Sequence, residues 1–146
     1  MFKSMQISAS GMTVQRLRMD VIAQNVANMN TTRTADGGPY RRRLVNVQED
    51  TNSNVPFSQY LDRSRNAFSG KGVKATAIVE DPTPFKRIHD PGHPDADEDG
   101  YVLMPNVDSL KEMVDMISAT RSYEANVTAF NAAKSMAIKG LEIGRR

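Results

Sequence analysis

A chain of 146 residues has room for one compact unit with extensions, and not for two independent cores. Its 19 basic and 17 acidic side chains leave a formal charge of +2, so the charge balance demands neither a nucleic acid nor an anionic membrane, and the lack of cysteine excludes disulfide staples, thiolate metal sites and a cysteine nucleophile. The longest uninterrupted apolar run, Tyr101 to Met104, is four residues, against the roughly 20 of a spanning helix, and the first residues lack the apolar core of a cleaved secretory signal.

Residues 1–32 predict a helix. Ile7, Val14, Leu17 and Val21 follow one helix stripe, and Met5, Met12, Met19 and Val26 recur every seventh residue on a neighbouring face. The other positions are mostly neutral (Ser4, Gln6, Ser8, Ser10, Thr13, Gln15, Gln24), with charges at Lys3, Arg16, Arg18 and Asp20. A solvated helix carries a charged outer face, so this composition predicts a helix surrounded by other protein, where neutral groups cost less to desolvate. Asn25 and Asn28 share a face, and Asn30 stands at the exit with Thr31 and Thr32. Such short polar side chains are expected to act as packing and capping groups rather than as a ligand site.

Residues 33–105 hold all 7 prolines and most of the glycines, and read as strands and loops. Val73 to Val79 alternate with period two, and Arg43 to Gln48, Phe85 to His89 and Tyr101 to Met104 are further short strand candidates. Residues near 50–72 read as a long mobile connection. Asp95, Asp97, Asp99 and Gly100 match the start of a calcium loop, but Asn106 stands at the twelfth place and Pro94 and Pro105 replace its helices, so an acidic hairpin turn is the expected reading. His89 and His93 are separated by Pro91 and Gly92, which prevents a helical metal pair. Arg41-Arg42-Arg43 could touch phosphates, yet a short basic run at a strand start is more often a solvated or inter-subunit face. With no nucleophile elbow or glycine-rich phosphate loop, the sequence has no catalytic constellation, and neither a cofactor nor a nucleic-acid partner is expected.

Residues 106–146 predict a second, longer helix of about 35 residues, opened by Ser109 and Glu112 at capping-box spacing. Met116, Tyr123, Val127, Phe130, Ala137 and Leu141 fall on an inclined stripe, widened by Met113, Val114 and Ile117. A helix near 50 Å long is too long for a compact domain of this size, so it needs a partner, and the first helix is the candidate. The fold expected from these elements is mainly α with a small β-rich insertion, the second helix packed against the first.

The segments Ser10-Gly11-Met12 and Ala23 to Thr32 resemble the amino-terminal signature of flagellar rod and hook proteins, with Gln24 and Val26 as mild departures. Met113 to Lys134, Val79 to Phe85 and Asp90 to Pro105 are similar to proximal-rod proteins of the FlgC type, so the resemblance covers nearly the whole chain. It implies that the two terminal helices pair as an antiparallel α-helical hairpin or coiled coil, and that the chain is a structural subunit of the basal-body rod, crossing the periplasm and exported unfolded by the flagellar type III apparatus without signal cleavage. Implied partners are further copies of the chain, other rod proteins and a basal-body adaptor at the membrane ring. The positions carried over as packing and motif residues are Ser10, Gly11, Leu17, Val21, Asn25, Val26, Asn28 and Asn30, and on the second helix Met113, Met116, Ile117, Arg121, Tyr123, Glu124, Asn126, Val127, Phe130 and Asn131. Another axial subunit is the alternative within the family, and a small calcium-binding module the alternative outside it.

Overall fold

The computed structural model describes residues 2–35, 37–50 and 72–144. In chain order these form α1 (Phe2–Ala27), β1 (Arg43–Glu49), β2 (Val73–Glu80), β3 (Lys86–His89), β4 (Tyr101–Met104) and α2 (Ser109–Ile143). All four strand candidates of the sequence are present, whereas most of the expected mobile connection near 50–72 lies outside the described residues.

α2 has 35 residues and is therefore about 52 Å long at ~1.5 Å per residue. Its start differs in detail from the capping box. Asp108 is the N-cap and its carboxylate accepts from the Leu110 N–H at 3.0 Å, so Ser109 is already helical and Glu112 is free to turn inward. α1 ends after Ala27, where the Asn28 amide donates back to the Gln24 carbonyl at 2.9 Å and takes the Thr31 hydroxyl at 3.2 Å. These bonds satisfy groups that the last helical turn leaves open, as the sequence led one to expect of Asn28.

The two helices pack against each other in opposite directions. Asn25 meets Glu112, Met19 takes the Thr120 hydroxyl on its sulfur at 3.6 Å, and Gly11 lies beside Asn126. On α2 the seam follows the seven-residue series Glu112, Ala119, Asn126 and Ala133, of which Glu112, Ala119 and Ala133 are buried. The buried residues of α1 are Ser8, Val14, Val21, Ile22 and Asn25, of which Val14 and Val21 belong to its expected apolar stripe. On α2, by contrast, the buried residues are small or polar instead of the large apolar ones of its stripe. At Gly11 a Cβ would stand 2.8 Å from Asn126 Oδ1, so the absence of a side chain sets how near the helices come.

β1 and β2 pair antiparallel, with Leu44 opposite Val79, Val45 opposite Ile78, and a bulge between Asn46 and Val47. This ribbon rests on α1, where Ser10 Oγ accepts from the Val73 N–H at 3.1 Å. The approach is close enough that a Cβ at Gly72, whose φ is 99°, would overlap Ser10 Oγ. β3 and β4 form a second antiparallel hairpin, Ile88 opposite Val102, with Val102 and Val107 buried at the turn into α2. Lys86 Nζ donates to the Val107 carbonyl at 2.9 Å and Thr32 donates to Asp95 at 2.8 Å, fixing this hairpin to the α1 exit and the α2 entry.

Candidate functional site

Where the helix pair meets the β segment, a buried polar cluster joins three parts of the chain. Asn25 is 1% exposed. Its Nδ2 donates to the Arg43 carbonyl at 2.9 Å and to Glu112 Oε2 at 3.0 Å, while its Oδ1 accepts from the Tyr40 hydroxyl at 3.0 Å and the Arg43 N–H at 2.9 Å. An amide has two donors and two lone pairs, and all are used. Asn25 therefore fixes the chain after α1 to both helices, a larger role than capping.

Glu112 is fully buried, and its Oε1 accepts from Arg42 Nε at 2.6 Å. The other guanidinium nitrogens of Arg42 reach Asp81 at 3.4 Å and Asp115 at 3.2 Å, and Arg18 adds a 3.5 Å contact to Asp115. The Arg42 N–H donates to Asn106 Oδ1 at 2.8 Å, and the Asn106 amide in turn bonds Thr83 Oγ1 at 2.8 Å. One cation thus meets three carboxylates from β2's end and α2, which suits the planar fork of arginine. This corrects the reading of Arg41-Arg42-Arg43 as one basic surface. Arg42 is only 6% exposed, Arg41 stacks on Phe85 and donates to the Asp81 carbonyl, and only Arg43 has an exposed side chain, over Tyr40.

The electrostatics follow from these contacts. Burial by itself would lower the Arg42 pKa, but its hydrogen bond to Glu112 and the surrounding carboxylates outweigh burial and raise it above the usual arginine value. Burial raises the Tyr40 hydroxyl above its ordinary range. The Thr83 N–H and hydroxyl, with a smaller contribution from Arg42, hold the Asp81 carboxyl below the usual value. The adjoining cleft measures about 110 Å³, below the ~300 Å³ at which ligand pockets begin. This cluster is built to hold elements together.

The remaining sequence-selected residues fall into three groups. Ser10, Gly11, Val21 and Asn126 lie at the contacts already described, and Leu17, Val26, Met116, Tyr123, Val127 and Phe130 are half-buried. Asn28 is half-buried at the α1 exit, while Asn30 is exposed. Arg121, Glu124 and Asn131 are exposed, as are Met113, Val114 and Ile117, which lie on the face of α2 away from Glu112 and Ala119 instead of widening the seam. Apolar periodicity shows that a helix has such a face but not which face meets its partner. The sequence missed Arg42, Tyr40, Asp81, Asn106 and Asp115 as a group, and read Glu112 only as a cap. Ionisable or amide side chains on unlike elements leave no spacing pattern by which to associate them.

Among the described residues, Asp95, Asp97 and Asp99 included, no group of three or more His, Asp or Glu side chains is arranged to hold a metal. Asp95 is taken by Thr32, and His93 Nδ1 accepts from the Asp95 N–H at 3.1 Å. His89 sits edge-on to Tyr101 at 5.0 Å. The loop is a hairpin connection whose Asp97 N–H and Asp90 N–H bond across to Tyr101 and Gly100.

A long antiparallel helix pair fastened to a β insertion by a buried cluster of hydrogen bonds and ion pairs is a scaffold-like architecture. Comparison with known families agrees. A family model described as flagella basal body rod protein matches residues 5–33, and one described as flagellar basal body rod FlgEFG protein C-terminal matches residues 98–143. Flagellar basal-body rod protein FlgC of Bacillus subtilis is 51% identical, with 99% of this chain and 98% of the relative covered. FlgC of Borreliella burgdorferi is 46% identical, covering 98% and 97%, and FlgC of Aquifex aeolicus 42%, covering 92% and 90%. The chain belongs to the FlgC family of flagellar basal-body rod proteins.

Proposed function

We propose that this chain is a structural subunit of the proximal rod of the bacterial flagellar basal body and is not an enzyme. The observation that carries the reading is that both family matches fall on the helix pair, 5–33 and 98–143, while that pair keeps large apolar side chains such as Leu110, Val114 and Leu141 in solvent. Exposed contiguous apolar surface on a helix is a liability for a lone chain and an asset in an assembly. In this reading the pair forms an antiparallel coiled coil that stacks with further copies and other rod proteins into a tube. The tube transmits torque and walls the export channel. Residues 1–32 and 106–146 are the axial part, and 33–105 the β-rich part outside it.

The packing residues divide accordingly. Gly11, Val21, Asn25 and Asn126 hold the pair together, and Met113, Ile117, Arg121, Glu124 and Asn131 face neighbours. Export by the flagellar type III apparatus, contact with an adaptor at the membrane ring and a location across the periplasm belong to the same reading. The chain has no helix among its described residues long and apolar enough to cross a membrane.

Complementation tests the proposal. A Bacillus subtilis strain lacking its own FlgC and expressing this chain is expected to regain motility and to carry the chain in purified basal bodies. Full expression with no incorporation and no swimming would overturn it.

A further inference from the structure

The hairpin of β3 and β4 is a sheet of two strands, so among the described residues β3 has no neighbouring strand on its outer side. All four of its residues, Lys86 to His89, are exposed. The register and the bond from the Asp90 N–H to the Gly100 carbonyl at 2.9 Å fix the alternation of the ladder: Ile88 exchanges its backbone bonds with Val102, while Arg87 and His89 turn theirs outward. The outer side of β4 differs. There the Tyr101 carbonyl accepts from the Asp97 N–H at 2.9 Å and the Thr32 hydroxyl bonds Asp95, so the chain's own loop already occupies that edge.

The two faces beside the open edge are chemically unlike. On one, Ile88 is 49% exposed and borders a groove of about 200 Å³ lined by Met29, Met104, Pro105 and Val107, with Lys86 at its rim. Asp108 also lines this groove but is engaged as the N-cap of α2. On the other face, Arg87 lies over the Tyr101 ring at 5.1 Å and His89 meets the same ring edge-on. An added strand, with its period of two, thus finds apolar surface for one side chain and a guanidinium for the next. Charge also changes along the edge. Lys86 and Arg87 stand at its start, whereas Asp90, Asp95, Asp97, Glu98 and Asp99 follow its end. Two β3 edges brought together would place one Arg87 beside the Arg87 or His89 of the other, so the basic residues act against self-pairing.

We infer that the β3 edge is a docking site for an extended, acidic segment of a different protein. The segment adds an antiparallel third strand to the hairpin, sets a carboxylate beside Arg87 and lays an apolar side chain on Ile88 at the groove. Backbone bonds to Arg87 and His89 hold it, and the charges fix its direction by keeping its carboxylates at the Lys86 end. The site lies on the β insertion and does not depend on the rod reading.

The test uses the purified full chain and a synthetic peptide, acetyl-Thr-Val-Thr-Val-Glu-Val-Glu-amide, followed by nuclear magnetic resonance. Saturable shifts of the Arg87 and His89 amides are expected. A peptide with lysine in place of glutamate should bind about tenfold more weakly, and Arg87→Glu should reverse that preference. Methylation of the peptide nitrogens that face β3 should abolish binding, and methylation of those that face away should leave it. No saturable binding up to roughly 1 mM peptide, or shifts confined to residues away from β3, overturns the inference. Equal binding of the glutamate and lysine peptides overturns the acidic partner, and equal binding of the two methylated peptides overturns strand addition. Self-association of the parent chain that Arg87→Pro abolishes assigns the edge to a second copy and overturns the inference as well. If Arg87→Glu fails to fold by circular dichroism, the lysine and methylated peptides decide the matter on the parent chain alone.

Discussion

Changing Glu112 to Gln removes one charge and leaves the shape of the seam, so it measures the buried cluster directly. Both Glu112 oxygens accept, Oε1 from Arg42 Nε at 2.6 Å and Oε2 from Asn25 Nδ2 at 3.0 Å. A glutamine amide offers one oxygen and one NH2. Turned to serve Arg42, it sets two donors face to face at Asn25. Asn25 cannot turn in response, because its own oxygen is held by the Tyr40 hydroxyl and the Arg43 N–H. One buried donor therefore remains unpaired, at about 1–3 kcal/mol. The lost charge adds to this, but Asp81 and Asp115 still face Arg42, so the total stays below the ~5 kcal/mol upper range for an abandoned buried charge. The expected loss is about 2–4 kcal/mol in urea unfolding of the purified chain, followed by circular dichroism. A loss under about 0.5 kcal/mol, the scale of surface substitutions, would refute the burial of Glu112 against Arg42 and Asn25.

Other expectations are open to simple measurements. Gly11→Leu should force the helices apart at Asn126 and destabilise the chain by about 1–3 kcal/mol, read by the same unfolding curve; unchanged stability would show that the close approach is absent. Asn28→Ala should cost no more than about 1 kcal/mol in the monomer, since both its bonds are local and half open to water, yet reduce the acid or shear resistance of assembled rods. Phe130→Asp should leave synthesis intact and block incorporation into basal bodies; normal amounts there would refute its place in a desolvated seam. Because Asp81 is held below its unfolded value, its contribution is complete above about pH 4, the unfolded carboxylate range, and is lost as pH falls through the lower folded value. Asp81→Asn should accordingly flatten the acid side of the stability profile, and an identical profile for the two proteins would count against the Thr83 and Arg42 bonds.

Much of the secondary structure was legible in the sequence because its signals are local. Period-two alternation placed β2, glycine and proline marked the turns around β1 and β4, and long apolar periodicity placed both helices. Local chemistry also identified Asn28 as a group that closes the end of α1. The amino-terminal signature drew attention to Ser10, Gly11 and Asn25, although not to what they touch.

The tertiary structure decided which faces meet. α2 carries apolar residues on more than one side, and hydrophobic periodicity is blind to the difference between a face that pairs within the chain and one that awaits another molecule. Only packing shows that Ala119 and Ala133 line the seam while Met113 and Ile117 point away. It also decided the fate of Arg42, which sits in a run of three arginines that reads as surface. The run lies 70 residues from Glu112 in sequence. A buried ion pair depends on two elements arriving at one place, with a third, Asn25, satisfying what the pair leaves open; nothing in the spacing of any one segment encodes that arrival. The sequence by itself determined a pair of long helices with a β insertion and its family, because those follow from local periodicity and contiguous motifs. The seam and the buried cluster depended on how distant segments pack, and only the folded chain fixes that.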